Sequence, residues 1–102
     1  MAVHHWSTAS DGPLTEAALR RKLESLGYVV ARRVYPSGSE FPDHVHDLDK
    51  IDAVVSGRFR LVVGGHLAML RPGDWVEVPR GVRHTAKVMG TEPVVSLDAM
   101  KP

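Results

Sequence analysis

Residues 38–57, GSEFPDHVHDLDKIDAVVSG, contain two histidines separated by one residue inside a strand-like run. Successive side chains of a β-strand point to opposite faces, so His44 and His46 share a face, about 6.6 Å apart along the strand. At that spacing two imidazoles can converge on one metal ion. A second stretch, residues 73–84, ends a short strand with a proline and a glycine and adds His84. Three imidazoles are enough to hold a transition metal and leave coordination positions open.

The composition is typical of one globular domain and argues against a nucleic-acid or membrane partner. The chain has 102 residues, 43% of them hydrophobic, which provides one core and leaves no room for a second domain. Thirteen basic and twelve acidic residues give a formal charge of +1, so there is no strong overall attraction to nucleic acid or an anionic membrane. Since there is no cysteine, any metal site must be built from imidazole and carboxylate groups.

The N-terminal region carries no clear signal of its own. It lacks a basic segment followed by an apolar core, and no apolar run approaches the roughly 20 residues that span a bilayer, so we expect a cytoplasmic protein. Residues 1–13 contain small and turn-forming residues without periodicity and are expected to form an extended or flexible arm. The adjacent pair His4-His5 is expected to be solvated, because neighbouring side chains rarely point the same way.

A short amphipathic helix is predicted within residues 14–27. Leu19, Leu23 and Leu26 recur at intervals of four and three, and Gly27 lies just past the end. A helix of this length is marginal in isolation. Its leucine stripe is therefore expected to dock on the body of the domain or on a partner subunit.

Residues 28–100 consist of short valine-rich runs separated by turn residues, and predict an all-β fold. The pair Gly64-Gly65 suits a two-residue hairpin, because both positions can adopt positive φ. Eight short strands with this spacing are typical of a closed antiparallel barrel or jelly roll, with the helix as an N-terminal appendage. The predicted strands are Tyr28–Tyr35, Phe41–His46, Ile51–Val55, Arg58–Val63, His66–Leu70, Trp75–Val78, Arg83–Met89 and Val94–Ala99.

The two histidine stretches resemble the paired motifs of the cupin superfamily, small jelly-roll β-barrels that bind a metal inside. The first motif is a glycine, five residues, His-x-His, three or four residues, glutamate, six residues and glycine; it matches Gly38, His44, His46, position 50 and Gly57. The second is a glycine, five residues, Pro-x-Gly, two residues, histidine, three residues and asparagine; it matches Gly73, Pro79, Gly81, His84 and position 88. The resemblance covers about residues 28–100 and implies a single small cupin domain within residues 14–102.

Two positions depart from the family pattern. Lys50 stands where the family usually has its glutamate ligand, and Val88 stands where it often has asparagine. An ammonium about 6 Å from a divalent ion would be repelled by roughly 5–6 kcal/mol at an effective dielectric near 20, weakening metal affinity by about four powers of ten. This repulsion is relieved if Lys50 loses its proton, points out of the barrel or pairs with a carboxylate.

Strand alternation offers Lys50 a partner. If residues 51–55 continue the parity of the histidine pair, Lys50 and Asp52 lie on the same inward face and form an ion pair beside the metal. A local bulge could instead turn Asp47 or Asp49 inward as a substitute ligand. Lys50→Glu restores the usual ligand and is expected to tighten metal binding, unless Lys50 already belongs to a compensated network.

Two further residues have structural interpretations. His66 follows the glycine turn and lies outside both motifs, so it is expected at the surface. Trp75 alternates with Val76 and Val78, and the valines are the better candidates for the interior. Trp75 is therefore expected to pack under the helix or at a subunit contact.

Three functions fit this sequence. The resemblance implies a metal-dependent enzyme, dioxygenase-like or isomerase-like, in which His44, His46 and His84 hold Zn, Fe, Ni or Mn. Its substrate would be a small anionic chelating molecule, such as a keto acid or diketone enolate, contacted by Lys50 and Asp52. The alternative is a non-enzymatic module that binds or senses a small molecule, with a structural metal or none. A structural domain that binds a partner through the helix is the third. The resemblance and the helix also lead us to expect a homodimer.

Overall fold

The computed structural model describes every residue from Met1 to Pro102 and contains nine strands and two helices. The helices are α1 (Thr8–Asp11) and α2 (Glu16–Ser25). The strands are β1 (Val3–His5), β2 (Val29–Tyr35), β3 (Glu40–His44), β4 (Asp49–Ser56), β5 (Arg58–Val63), β6 (His66–Leu70), β7 (Asp74–Val78), β8 (His84–Met89) and β9 (Val94–Lys101).

The strands form two antiparallel sheets that pack face to face. One sheet has the strand order β1-β7-β4-β9-β2, and the other has the order β3-β8-β5-β6. Buried side chains from both sheets form the central core, which includes Val54, Val76 and Val94 from the first sheet and Phe59 and Val88 from the second. This arrangement confirms the predicted all-β jelly-roll fold.

Strand β4 divides its side chains between two cores. Ile51 and Ala53 are fully buried against α2 on the outer face of the five-stranded sheet. Lys50, Asp52 and Val54 alternate with them and face the other sheet, because the side-chain period of a strand is two residues. The outer face is apolar throughout the region that α2 covers, so one strand supports both the helix and the barrel interior.

Helix α2 forms and docks as its leucine spacing predicts. The Thr15 hydroxyl accepts a hydrogen bond from the Ala18 N–H at 3.0 Å and caps the helix N-terminus. Leu19 and Leu23 are fully buried beside Trp75, which confirms that this tryptophan packs under the helix. Leu26 follows the last helical residue and is 44% exposed, so it does not extend the buried stripe.

The N-terminal residues differ from the expected extended or flexible arm. Strand β1 pairs with β7, with Val3 opposite Val76, and places the Val3 side chain against the central core. The Trp6 backbone N–H donates to the Gly73 carbonyl, and its indole N–H donates to the Gly12 carbonyl, both at 2.9 Å. The segment thus closes one edge of the five-stranded sheet, a pairing that its own composition does not reveal.

The eight strands predicted in residues 28–100 all form, with changes at their ends. Gly64 and Gly65 join β5 to β6 with φ values of 55° and 83°, the conformation expected for a two-residue hairpin turn. Strand β3 ends at His44, so His46 lies in the following connection. Neither helix has the length and apolar character needed to cross a membrane.

We predict that Leu19→Ala lowers the free energy of unfolding by about 2–5 kcal/mol, because it opens a cavity under α2. The matched variant Leu26→Ala removes an exposed leucine and is expected to change stability by less than about 0.5 kcal/mol. Urea unfolding followed by circular dichroism measures both. Equal effects from the two variants would contradict the docking of α2 through Leu19.

Candidate metal centre

The three histidines meet at one end of the four-stranded sheet. His44, the last residue of β3, lies directly opposite His84, the first residue of β8. The pairing of these strands is irregular between Phe41 and His44, which is typical of a bulge that re-aims a side chain. The His46 carbonyl accepts a hydrogen bond from the Gly81 N–H at 2.9 Å, so the turn before β8 holds the connection that carries His46.

The imidazole rings are close enough to share one ion. The ring centroids are 4.0 Å apart for His44 and His84, 4.9 Å apart for His44 and His46, and 5.0 Å apart for His46 and His84. One nitrogen from each ring lies within 4.8 Å of the other two. The structure therefore brings together all three residues that the sequence predicts as metal ligands.

Hydrogen bonds to the backbone fix two of these rings. His44 Nδ1 lies 2.6 Å from the Pro42 carbonyl oxygen, and His84 Nδ1 lies 3.1 Å from the Val82 carbonyl oxygen. A carbonyl only accepts, so each Nδ1 carries the proton and each Nε2 has a free lone pair. Metal-ligating histidines are commonly oriented by a second hydrogen bond of this kind.

Two imidazole nitrogens are buried without any hydrogen-bond partner: His46 Nε2 and His84 Nε2. Buried polar atoms are normally paired, since an unpaired one costs about 1–3 kcal/mol. A cation between the rings would accept these lone pairs. The histidine cluster therefore fits a transition metal by its geometry and by its donor chemistry.

The surroundings favour the neutral form of the histidines. Burial lowers the pKa of His46, and the nearby charges of Lys50 and His44 lower it further. Burial also lowers the pKa of His84, although its hydrogen bond to Val82 acts in the opposite direction. Neutral imidazole is the form that binds a metal, so both rings are ready to ligate at neutral pH.

Opposite the histidines, the five-stranded sheet carries a buried ionic cluster of Lys50, Asp52 and Asp98. Lys50 Nζ lies 3.2 Å from Asp52 Oδ1 and 2.6 Å from Asp98 Oδ1. The Lys50 and Asp52 side chains are only 9% and 8% exposed, and Asp98 is 17% exposed. These distances confirm that Lys50 and Asp52 form an ion pair inside the barrel. The carboxylate of Asp98 is a second partner of Lys50 that was not predicted.

The charges in this cluster perturb one another. Burial raises the pKa of Asp52 to about 6, although the Lys50 ammonium opposes this shift and Asp98 adds to it. Burial alone would lower the pKa of Lys50, but the two carboxylates outweigh burial and raise it. Lys50 is therefore protonated at neutral pH, and two carboxylates offset its charge. The repulsion expected between an isolated Lys50 ammonium and a metal is accordingly reduced.

The two other candidate carboxylates do not join the histidines. Asp49 Oδ1 accepts a hydrogen bond from the Arg80 backbone N–H at 2.8 Å, which holds it at the barrel rim. Asp47 lies in the turn after His46, and the group of converging ligand atoms contains neither residue. The sequence alternative of a substitute ligand from Asp47 or Asp49 is therefore not seen.

A cavity of about 50 Å³ lies between the histidines and the ionic cluster. Its lining comprises Tyr35, Phe41, His44, Lys50, Asp52, Phe59, His84 and Ala86. Burial raises the pKa of Tyr35, and the charges of Asp98 and Asp52 raise it further, so its phenol keeps its proton. Three clefts of about 270 to 360 Å³ lie elsewhere, and none is lined by the three histidines.

Asp98 and Tyr35 are the site residues that sequence reasoning missed. Asp98 lies opposite Asp52 in the pairing of β9 with β4, and it shares a face with Val94 and Ser96. Strand alternation could have identified Asp98 from the sequence, because it puts this charged residue on the inward face of the last strand. Nothing in its sequence neighbourhood links Tyr35 to the histidines, since β2 and β3 belong to different sheets.

The remaining histidines lie outside the site. His5 Nδ1 lies 2.6 Å from Asp74 Oδ1, and His4 stacks on Trp75 with ring centroids 5.4 Å apart. His66 is exposed at the start of β6, as expected. None of them contributes to the converging group of ligand atoms.

Metal affinity is predicted to fall as the pH drops below about 6.5, because protons compete with the metal for the imidazole lone pairs. Since burial lowers the pKa of His46 and His84, the loss begins below the pH at which a free imidazole titrates. Calorimetric titration with Zn²⁺ at pH 7.5, 6.5 and 5 measures this dependence. An affinity that stays constant from pH 7.5 to 5 would argue against a histidine site.

Lys50→Met is predicted to destabilise the metal-free protein by about 3–5 kcal/mol at pH 7.5, because it leaves two buried carboxylates without a counter-charge. The loss should shrink at pH 5, where Asp52 is protonated in the folded protein. Lys50→Glu, which adds a third carboxylate, should likewise destabilise the chain.

Urea unfolding measures both effects, with Lys87→Met as the matched control. Lys87 pairs with Glu40 at the surface, where the side chains are 46% and 66% exposed, so its loss should cost less than about 1 kcal/mol. If Lys50→Met lowers the free energy of unfolding by no more than Lys87→Met does, then Lys50 does not stabilise the buried carboxylates.

Comparison with known proteins assigns the family. A family model described as Cupin domain matches residues 31–100. A search of curated proteins gives no match. Among solved structures, a RmlC-like cupin from Shewanella frigidimarina shares 26% identity with a TM-score of 0.67, over 74% of this chain and 67% of that chain.

Two further structures have lower sequence identity. The SPY1581 protein of unknown function from Streptococcus pyogenes shares 18% identity with a TM-score of 0.65, over 74% of this chain and 66% of that one. The Cnp3 cupin domain of Schizosaccharomyces pombe shares 18% identity with a TM-score of 0.67, over 74% of this chain. This chain spans about half, 52%, of the Cnp3 structure. These two structures show a likeness of fold alone. The family match over residues 31–100 shows that the chain belongs to the cupin family.

Proposed function

We propose that this cupin binds one divalent transition metal ion through His44, His46 and His84. The observation that carries the proposal is the pair of buried, unpartnered Nε2 atoms on His46 and His84, within a group of three imidazoles whose nitrogens lie within 4.8 Å of one another. The backbone bonds to Pro42 and Val82 support the same assignment, because they leave Nε2 free on His44 and His84.

The donor set narrows the choice of metal. Three neutral imidazoles suit Zn, Fe, Ni or Mn, and a metal held by three protein ligands has open positions for a small molecule. When bound, such an ion would supply Lewis-acid or redox chemistry to that molecule. The chain has no cysteine to provide a thiolate, so the histidines are the whole of the proposed ligand set.

Lys50 and Asp52 are the proposed contacts for the small molecule. Both line the cavity beside His44 and His84. Lys50 donates a hydrogen bond to Asp52 Oδ1 at 3.2 Å, and Asp98 Oδ1 lies 2.6 Å from the same ammonium as a charge contact. An ammonium has three donors, so Lys50 has a donor left for an acceptor atom of a ligand, and the Tyr35 phenol offers another in the same cavity.

The proposed activity is that of a metal-dependent enzyme, dioxygenase-like or isomerase-like, acting on a small anionic chelating molecule. The alternative is a module that binds a small molecule without converting it, with the metal structural or absent. Engagement of Lys50 by two carboxylates favours this alternative, because it leaves less positive charge for an anionic substrate. Turnover abolished by chelation would support the enzyme, whereas ligand-dependent thermal stabilisation that survives chelation would support the module.

A homodimer is also part of the proposal. The leucines of α2 are buried within the chain, so the helix no longer supports an intersubunit contact. Leu67 and Met69 are 59% and 41% exposed on β6, which is an edge strand of the four-stranded sheet. They provide an apolar surface on which a second copy could pack.

We predict that the untagged protein, purified without chelator, contains close to one equivalent of metal, and that His46→Ala or His84→Ala removes it. The matched control is His66→Ala, which changes an exposed histidine outside the cluster and should keep the metal content of the wild type. Elemental analysis after incubation with Zn, Fe, Mn and Ni measures the content. Absence of metal from all four proteins, or its loss in His66→Ala alone, would contradict the proposed site.

A further inference from the structure

Strand β6 differs from the other edge strands of the two sheets, which are β1, β2 and β3. Natural edge strands are commonly kept from pairing with other chains by shortness, proline or charged side chains. Strand β1 has 3 residues, β2 carries Arg32 and Arg33, and β3 carries Pro42 and two carboxylates. Strand β6 has 5 residues, HLAML, without proline, lysine, arginine or carboxylate, and its pairing with β5 contains no bulge. It is therefore the edge least protected against pairing.

The hairpin geometry shows which backbone groups β6 presents at its free edge. A two-residue glycine turn joins β5 to β6, so Val63 and His66 are a hydrogen-bonded pair of the ladder. Such pairs alternate along an antiparallel ladder, so the N–H and C=O groups of Leu67 and Met69 point away from β5. None of the backbone hydrogen bonds made outside the ladders involves either residue. Each residue therefore offers a donor and an acceptor to another strand.

The side chains of β6 also suit contact with another strand. Leu67 and Met69 lie on the outer face of the four-stranded sheet and are 59% and 41% exposed. Helix α2 packs on the other sheet and leaves them uncovered. Ala68, between them, faces the core and is 3% exposed. The strand thus combines free backbone groups with exposed apolar side chains on one face and a small side chain on the other.

We infer that β6 pairs antiparallel with β6 of a second copy about a twofold axis at Ala68, which joins the two four-stranded sheets into one continuous sheet. Leu67 then lies opposite the partner's Met69, and Met69 lies opposite the partner's Leu67. Both are edge-facing pairs, so each exchanges two backbone hydrogen bonds. This register also gives every residue of β6 a partner within β6. The inference rests on the proposed homodimer and deepens it, but it does not depend on the metal.

The charges around β6 are compatible with this register. Arg71 follows the strand and lies opposite the partner's Gly65, which is uncharged. Arg60 is beside Met69 on β5. Because neighbouring strands are about 4.8 Å apart, Arg60 is about 14 Å across the sheet from β5 of the partner. This exceeds the screening length of about 8 Å at physiological ionic strength.

A dimer packed face to face through the same sheet is disfavoured by charge. Arg58 and Arg60 alternate with buried residues of β5 and lie on the outer face. Lys87 is opposite Arg60 on β8, and only Lys87 has a carboxylate partner, Glu40. Face-to-face packing would bring these cations of the two copies together. Edge pairing through β6 keeps them apart.

The test measures the dimer dissociation constant of full-length variants by sedimentation equilibrium. Leu67→Lys combined with Met69→Lys puts like charges opposite each other at both pairs and should weaken dimerisation by at least about a hundredfold. Leu67→Lys combined with Met69→Glu removes the same apolar side chains but puts opposite charges at each pair. This second variant should dimerise within about tenfold of the wild type.

Two further variants separate backbone pairing from general surface effects. Met69→Pro removes an N–H that faces the edge and makes no bond to β5, a position at which strands tolerate proline. It should weaken dimerisation by at least about tenfold while circular dichroism shows a folded chain. Val29→Lys is the matched control, because Val29 is 64% exposed on β2, and it should leave the dissociation constant unchanged.

The outcomes separate this inference from the proposal beneath it. A wild type that stays monomeric at every concentration would overturn the proposed homodimer and the β6 pairing together, and would leave the metal site untouched. A wild-type dimer that persists unchanged in the double-lysine variant and in folded Met69→Pro would overturn the β6 pairing alone. Equal weakening by the two double variants would overturn the register centred on Ala68.

Discussion

A charged lysine inside a small β-barrel has to be paired, and the arrangement of this site depends on that constraint. Lys50 lies between Asp52 on its own strand and Asp98 on the neighbouring strand, at 3.2 and 2.6 Å. Removing an ammonium from water costs several kcal/mol unless partners replace its hydration. The register that places Asp52 opposite Asp98 provides those partners, so the pairing of β4 with β9 and the electrostatics of the site are coupled.

The same strand alternation lets the five-stranded sheet support α2 with one face and line the site with the other. Ile51 and Ala53 of β4 pack under α2, and Lys50 and Asp52 face the histidines across the barrel. The four-stranded sheet contributes His44 and His84, and the connection after β3 contributes His46. Neutral metal ligands therefore come from one side of the cavity, and compensated charges come from the other. Their separation leaves the imidazole lone pairs free of competing donors.

Much of the fold and the centre of the site were predictable from local patterns. The His-x-His spacing, the helix stripe and the Gly64-Gly65 hairpin are short-range signals. The hairpin and the convergence of the histidines are confirmed, although His46 lies beyond the end of β3. The stripe is confirmed for Leu19 and Leu23 but not for Leu26, which is exposed. Asp98 was not predicted, because its partner Lys50 is distant in sequence and only the register of β9 on β4 brings them together. Strand β1 was missed for a similar reason, since it pairs with β7, which is distant in sequence: Val3 lies opposite Val76.

The central claim is that three particular imidazoles, and no others, bind a metal through Nε2. Long-range ¹H–¹⁵N NMR spectra of the histidine side chains, recorded during a titration with Zn²⁺, test it most directly. We expect the Nε2 signals of His44, His46 and His84 to shift together and saturate at one equivalent, while those of His4, His5 and His66 stay in place. Shifts confined to the three histidines outside the site, or no saturable shift in any imidazole, would contradict it.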